Sequence, residues 1–287
     1  MKPWEDLIAL NNFVDPALDV LGPARQYKAG DTNPIDWDKR LGDMIEPALQ
    51  RDTYPLPMTK DREGYYGDNH YSYWASGLQD YKNITECCAR LGVDLRSYLD
   101  FGCATGRVIR HFAVNSPEVE VLGCDINRAH VEWVAQHLPA SIKVFQNHSV
   151  PALPLPDNSL DFFSAYSVFT HIEAFETSWL MEMRRILRPG GLAWVTLHTE
   201  HTWEEMTETW PLYRGLRNHP DFDKSTPRPP LERDRTIFRW KTDASYSSNV
   251  FYKMKYIRKV WGRFFEIAEF HRRFPNFQDV VILRKPG

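Results

Sequence analysis

The stretch Asp100-Phe101-Gly102-Cys103-Ala104-Thr105-Gly106-Arg107 decides how this chain is read. It grows out of a short apolar run, Tyr98-Leu99-Asp100-Phe101, that reads as a strand. It leads into Val108, Ile109 and Phe112, which fall on one helix face. Small residues in a strand-to-helix turn let the backbone itself approach a ligand. In an open α/β sheet, ligands bind beyond the carboxyl ends of the strands, where the first crossover begins. A second strand, 119–124, ends at Asp125. A carboxylate at that place accepts hydrogen bonds from both hydroxyls of a ribose.

Outward from this core the alternation continues. Val131, Val134, Ala135 and Leu138 repeat the helical period, 142–145 is a third strand and 160–165 a fourth. Phe175, Trp179, Met183 and Ile186 make a helix that stops at Arg188-Pro189-Gly190-Gly191, before a fifth strand at 192–197. Strands and helices alternating at this pitch predict a parallel sheet covered on both faces. A Pro-, Arg- and Trp-rich stretch interrupts the pattern at 199–248, too long for an idle loop in a compact domain. A helix at 256–261 and two strands, 264–271 and 278–283, follow, with a Pro-Asn turn that predicts a hairpin at the sheet edge. Upstream lie a Pro-, Asp- and aromatic-rich segment at 1–59 and a dense aromatic cluster at 65–74. Next comes a helix through Ile84, Cys87, Cys88 and Leu91 that Gly92 stops.

Composition narrows the class. With 287 residues, 43% hydrophobic, 25% charged and a formal net charge of -3, the chain carries no overall field to recruit nucleic acid or an anionic membrane. The stretch 253–285 leans basic, as a charge-laced surface helix would. No run approaches the roughly 20 apolar residues that span a bilayer, and Glu5 and Asp6 stand where a signal peptide would be apolar. The four cysteines form no CxxC pair, so neither a zinc site nor a disulfide framework is expected. Buried thiols in a reducing cytoplasm are the plain expectation.

The identity of the nucleotide turns on spacing. A dinucleotide fingerprint, G-x-G-x-x-G, would fall on Gly102, Ala104 and Arg107, and the bulky arginine fits its third position poorly. A Tyr-x-x-x-Lys pair, which a short-chain dehydrogenase needs, occurs nowhere in the chain. Asp100-x-Gly102-x-x-x-Gly106 instead resembles the first motif of class I S-adenosylmethionine-dependent methyltransferases, with Ala104 in place of their middle glycine. Leu153-Pro154-Leu155-Pro156-Asp157-Asn158-Ser159-Leu160-Asp161 is similar to the run before that family's fourth strand. Ser167-Val168-Phe169-Thr170-His171-Ile172 is similar to the segment after it. Leu187-Arg188-Pro189-Gly190-Gly191-Leu192 resembles the turn into the fifth strand. Matches in this order across 98–197 carry the resemblance; outside that block it is much weaker.

The resemblance implies an α/β, Rossmann-like, doubly wound seven-strand sheet, mostly parallel with an antiparallel edge strand. It implies S-adenosylmethionine as cofactor. It divides the chain into a binding core at 96–198 and 251–287, an N-terminal acceptor lid at 1–95 and an acceptor cap at 199–250. It places Gly102, Cys103 and Ala104, with Gly106 and Arg107 completing the loop, against the methionine part. Asp125 takes the ribose, Ile126 packs on the adenine, and Asn147 and His148 meet the adenine edge, where the family often has an aspartate. Tyr166 lies near the sulfonium. Asp100 either touches the ligand or holds the loop.

Methyl transfer from a sulfonium is an in-line displacement in which the protein positions the nucleophile at about 3–3.5 Å; a hydroxyl acceptor adds the need for a general base. His198, His171 and His201, after the fifth and fourth strands, are the candidates, His198 first, because an imidazole titrates near neutral pH. Their spacing offers no third metal ligand. The expected acceptor is a small molecule or sugar unit methylated at oxygen. Trp203, Trp210, Tyr213 and Trp240, together with the cluster at 65–74, either face it or pack the flanking segments. Arg228, Arg233, Arg235 and Arg239 either grip an anionic group on it or are solvated. RNA or protein methylation, a Rossmann-like nucleotide binder that moves no methyl group, and a scaffold subunit are the alternatives. Membrane partners are not expected, nucleic acid is disfavoured by charge, and oligomerisation is left open.

Overall fold

The computed structural model describes residues 18–241, 246–273 and 277–287. The described residues divide into two compact units, 18–147 with Leu160–Phe163, and His148–Ser159 with 164–287. The Pro-Asn turn at 275–276 and all of residues 1–17, including the acidic pair Glu5 and Asp6, lie outside the described residues.

In the amino-terminal unit β1 (Val20–Leu21), α1 (Trp37–Leu41), α2 (Ile45–Arg51) and β2 (Leu56–Pro57) lead to the long helix α3 (His70–Arg90). Then come β3 (Ser97–Phe101), α4 (Ile109–Asn115), β4 (Glu120–Asp125), α5 (Arg128–His137), β5 (Lys143–Gln146) and β6 (Leu160–Ala165), whose last two residues belong to the other unit. The strand order is β6-β3-β4-β5. The β3–β4 and β4–β5 pairs are parallel, with Ser97 opposite Glu120 and Leu122 opposite Lys143. β3 is buried along its whole length, as a central parallel strand must be when both faces are covered.

The carboxy-terminal unit contains α6 (Glu176–Ile186), β7 (Leu187–Thr199), α7 (Glu200–Glu205), α8 (Pro211–Asn218), β8 (Arg235–Arg239) and β9 (Ser248–Tyr252). It closes with α9 (Met254–Val260), β10 (Glu266–His271) and β11 (Asp279–Arg284). Here the order is β10-β11-β7-β6. The expected hairpin is present: β10 and β11 are antiparallel, and β11 is also antiparallel to β7, with Asp279 opposite Leu197. The reversed strand thus lies one place in from the edge that β10 occupies. A mostly parallel α/β sheet is what the alternation predicted. Among the described residues it has two more strands than the expected seven: the interrupted stretch supplies β8, and β9, which begins at the end of that stretch, pairs parallel to the end of β7 at His198 and Thr199. The Pro189-Gly190-Gly191 stop is extended rather than a free turn. Gly190 N–H donates to the Lys285 carbonyl and Lys285 N–H to that of Gly191, which carries the β7–β11 ladder past Leu192.

The segment before β3 is a structural part of its unit. Trp37, Leu41, Ile45, Ala48, Leu49 and Leu56 pack on Tyr71, Tyr73, Trp74 and Leu78 of α3 in one apolar cluster. The aromatic run at 70–74 is therefore the first turns of a helix, and its tail ends as Gly92 predicts, at a positive φ of 68°. A buried ion pair fastens the cluster to α4. Arg110 Nε and Nη2 donate to Asp52 at 2.7 and 2.9 Å, Arg110 also reaches the carbonyls of Tyr54 and Pro55, and Trp74 Nε1 donates to Asp52 at 2.8 Å. Both charged side chains are wholly buried. Burial alone would raise the Asp52 carboxyl, but Arg110 outweighs it and holds the group below the usual range. Removing one partner leaves the other charge uncompensated. Arg110→Met is therefore expected to cost about 3–5 kcal/mol, read as a lower urea midpoint.

Candidate functional site

The residues of the glycine loop come together as their spacing predicts. Gly102, Ala104 and Gly106 all have positive φ, at 78°, 46° and 77°. The alanine therefore stands in the left-handed region that a glycine occupies at no steric cost, and Ala104 occupies it with some backbone strain. Gly102 and Cys103 donate their N–H groups to the Cys124 carbonyl at 2.8 and 3.0 Å, and Gly106 donates to Cys103 at 2.9 Å. The loop is thereby folded tightly back against the end of β4. A Cβ on Gly106 would lie 2.4 Å from Leu138 Cδ1, and one on Gly123 would lie 2.9 Å from Ile109 and 3.0 Å from Cys103 Sγ. Asp100 and Cys103 are buried below and within the loop, and burial pushes the Cys103 thiol well up, so it is no nucleophile at neutral pH.

Asp125 closes the arrangement. Its Oδ2 accepts the Ala104 N–H at 2.8 Å and its Oδ1 accepts the Asn127 N–H at 2.8 Å. An ionised carboxylate has about four lone-pair sites, so acceptor capacity remains for further donors. Ile126, next in the chain, is half-buried, and Gln146 Nε2 holds its carbonyl at 3.1 Å. Asn147 is buried, its N–H bonded to the Asp125 carbonyl at 3.1 Å.

Arg107 has a different environment from the loop around it. Its Nη1 donates to Asp80 of α3 at 2.6 Å and to Ser76 at 3.3 Å, and its guanidinium lies 5.7 Å from the centre of the Tyr65 ring. Burial alone would lower its pKa; Asp80 outweighs that and keeps it a cation. The helix comes this close because residue 77 is glycine: a Cβ there would sit 1.9 Å from the Arg107 carbonyl oxygen. Tyr73 Oη and Thr105 Oγ1, 2.9 Å apart, make a second tie between α3 and the loop. Sequence reading missed Gly77 and Asp80, since their role arises only from this crossing of helix and loop.

The remaining candidates belong to the carboxy-terminal unit. Tyr166 follows β6, its ring 6.4 Å from that of Trp194, and His148 is half-buried. Ser167 has a positive φ of 59°. Its N–H donates to Thr196 Oγ1 at 2.6 Å, and its hydroxyl accepts from Gln278 at 2.8 Å. His198 extends this polar group, with Nε2 3.4 Å from Gln278 Nε2 and the ring edge-on to Phe251 at 5.1 Å. Burial, with a smaller push from His171, lowers its pKa to about 3. His171 Nδ1 lies 2.7 Å from the Ser248 carbonyl. His201 has a carboxylate beside it: its Nδ1 is 3.5 Å from Asp279 Oδ2 and 3.1 Å from Thr199 Oγ1, while Asp279 accepts the Thr199 hydroxyl. His171 and His198 are thus neighbours, and His201 is held by a separate acidic partner. Among the described residues, no group of three or more metal-ligating side chains is assembled.

The insertion packs on itself. Trp203, Trp210, Tyr213, Leu216, Phe222 and Phe238 form one apolar cluster, while Trp240 is 44% exposed. Arg228 donates to the carbonyls of Glu204 and Met206, Arg235 pairs with Glu176 at 3.0 Å, and Arg239 pairs with Glu173 at 2.8 Å. These three arginines are engaged by their own chain.

Residues 99–195, spanning the glycine loop, Asp125 and β7, match the methyltransferase-domain family model. This stretch is a methyltransferase domain. An uncharacterised methyltransferase of Schizosaccharomyces pombe is 28% identical over 102 residues, 32% of this chain and 36% of that protein. A malonyl-[acyl-carrier protein] O-methyltransferase of Hahella chejuensis is 26% identical over 121 residues, 42% of this chain and 43% of that one. The matches therefore span less than half the length of these relatives. Among solved structures, an S-adenosylmethionine-dependent methyltransferase of Clostridium acetobutylicum superposes with a TM-score of 0.49 at 14% identity, over 76% of this chain and 92% of that one. No helix among the described residues is long and apolar enough to cross a membrane.

Buried histidines also give the chain a pH response. His198, and His111 of α4, whose pKa burial likewise lowers to about 3, are neutral in the fold, whereas an unfolded histidine titrates near 6.5. Between those values the unfolded chain binds more protons, so stability is full above pH 6.5 and is lost as pH falls toward 3. Each group adds up to about 1.4 kcal/mol per pH unit to that slope. Urea titrations of His198→Gln at pH 7 and pH 5 are expected to show a smaller loss on acidification than the parent chain.

Proposed function

We propose that this chain transfers the methyl group of S-adenosylmethionine to an oxygen atom of a small molecule or sugar unit, by in-line displacement with histidine assistance. The observation that carries this reading is the Asp125 carboxylate. It is fixed by the Ala104 and Asn127 amides beside a loop with three left-handed residues, and it retains acceptor capacity for two ribose hydroxyls. In this reading Gly102, Cys103 and Ala104 face the methionine moiety, with Gly106 giving the loop its turn. Ile126 and Asn147 serve the adenine, with His148 beside them. Tyr166 is assigned to the region of the sulfonium. Asp100 and Arg107 brace the loop, the latter through Asp80. When bound, the cofactor supplies the activated methyl group; the chain's part is to bind it, orient the acceptor and accept a proton.

For that proton, His201 has a carboxylate beside its ring. The Asp279 carboxylate, 3.5 Å from its Nδ1, can orient its ring. His198, kept neutral by burial, is suited to accept a hydrogen bond from an acceptor hydroxyl. Oxygen as the target atom is supported by the O-methyltransferase relatives, whose similarity covers under half of this chain. The segments 1–95 and 199–250 are assigned to acceptor enclosure.

Calorimetric titration with S-adenosylmethionine, S-adenosylhomocysteine and NAD tests the cofactor reading. Micromolar binding of the first two is expected, with a loss of at least about tenfold on Asp125→Ala; binding of NAD alone would sink it. In methyl-transfer assays over small hydroxylated acceptors, His201→Ala and His198→Ala are each expected to lower kcat by about 10²–10⁴-fold with cofactor affinity kept. Unchanged kcat in both would eliminate His201 and His198 as the base.

A further inference from the structure

Beyond the loop and its acid, one buried histidine touches the cofactor site and has no role in the reading above. His130 lies in the first turn of α5, with its side chain 7% exposed. Its Nδ1 is 3.4 Å from Asp125 Oδ1 and its Nε2 is 3.6 Å from Glu63 Oε1. Glu63 also accepts from Asn127 Nδ2 at 3.3 Å, and it has a positive φ of 54°. The segment carrying Glu63 continues to Tyr65, whose ring faces Arg107 on the other side of the glycine loop. One short segment therefore meets both flanks of the loop, and His130 stands between it and the cofactor acid.

Both ring nitrogens face a carboxylate oxygen. At 3.4 and 3.6 Å these are ion-pair contacts rather than formed hydrogen bonds, so they take no lone pair from Asp125; a neutral imidazole, with one N–H, would still turn a lone pair toward one of the two carboxylates, whereas an imidazolium turns an N–H toward each. We propose that His130 is a positioning residue for the cofactor acid: as an imidazolium it fixes the Asp125 carboxylate and ties the segment around Glu63 to the turn after β4. This rests on Asp125 being the ribose acceptor. Cofactor affinity then depends on the His130 proton, and by linkage the bound cofactor favours the protonated ring.

The surrounding charges agree with this. Burial alone would lower the His130 pKa, but Asp125, Glu63 and, more distantly, Asp61 outweigh it and raise it above 6.5. Asp61 itself is raised by burial, and Lys60 beside it pairs with Asp19. On α5, Arg128 is taken by Glu132 at 2.5 Å and burial lowers the pKa of His137, while Arg62, on the segment packed against α5, donates to the carbonyls of Pro57, Tyr65 and Gly67.

The test is calorimetric titration with S-adenosylhomocysteine from pH 6.0 to 8.5 for the parent chain, His130→Gln and Glu63→Gln. The parent Kd is expected to weaken about fivefold or more as pH rises above 6.5, within the ordinary range of coupling between sites. His130→Gln should bind more weakly at pH 6.0 and show no such fall. Glu63→Gln alters an exposed side chain, so folding is not at issue, and its fall should move to lower pH. A parent Kd flat with pH, or a His130→Gln profile parallel to the parent, overturns the inference while the cofactor reading stands. No binding by the parent at any pH removes the cofactor reading and this inference together.

Discussion

The Asp125 carboxylate sets the geometry on which the candidate site depends. It accepts the amide of Ala104 from the loop after β3 and the amide of Asn127 from the turn after β4, both at 2.8 Å. Two neighbouring turns are thereby closed by one charged group at the carboxyl ends of two parallel strands. Charge-assisted hydrogen bonds of this kind are stronger than neutral ones, and their energy is set against a loop with three residues at positive φ. Asn127 then caps α5 through its own side chain, which accepts from Ala129 at 3.0 Å. Loop, acid and helix start are one mechanical unit.

Around that unit the amino-terminal segment acts as buttress. Gly77 lets α3 approach the Arg107 carbonyl, Asp80 and Ser76 receive the Arg107 side chain, and Asp52 receives that of Arg110. Two successive turns of the chain after the loop are thus each anchored by an acid that lies far away in sequence. Buried pairs contribute little net stability compared with apolar packing, but they are costly to break. Their consequence here is that the backbone of the loop has few alternatives to its observed course.

The carboxy-terminal unit combines apolar packing with ion pairs of its own, Arg235 with Glu176 and Arg239 with Glu173. Its insertion closes on a cluster of Trp203, Trp210, Tyr213 and Phe238, and its sheet ends in the hairpin of β10 and β11. Polar side chains are kept where strands end: Ser167, Thr196, Gln278 and His198 in one group, Thr199, His201 and Asp279 in another. Burial makes the first histidine neutral, and the second has a carboxylate beside it, so two residues of one type three positions apart acquire different chemistry.

The order of strands and helices, the glycine turn and the acid after β4 were all legible in the sequence. Each is encoded locally, by hydrophobic period, by residues that tolerate positive φ and by a carboxylate at a strand end. The helix at 70–90 was legible only in its second half, because the aromatic residues of its first turns mask the period. The strands β8 and β9 were hidden in a Pro- and Arg-rich stretch whose pairing is made with distant β7. Arg107, a misfit for a dinucleotide fingerprint by spacing, acquires a partner only when α3 crosses the loop at Gly77. Likewise no spacing rule brings Glu63 and Asp125 to the two sides of His130. The sequence by itself determined the fold class and the glycine loop, since those depend on contacts within a few residues. The tertiary structure alone decided which charges meet and which histidines are neutral, because burial and pairing depend on residues brought together from far along the chain.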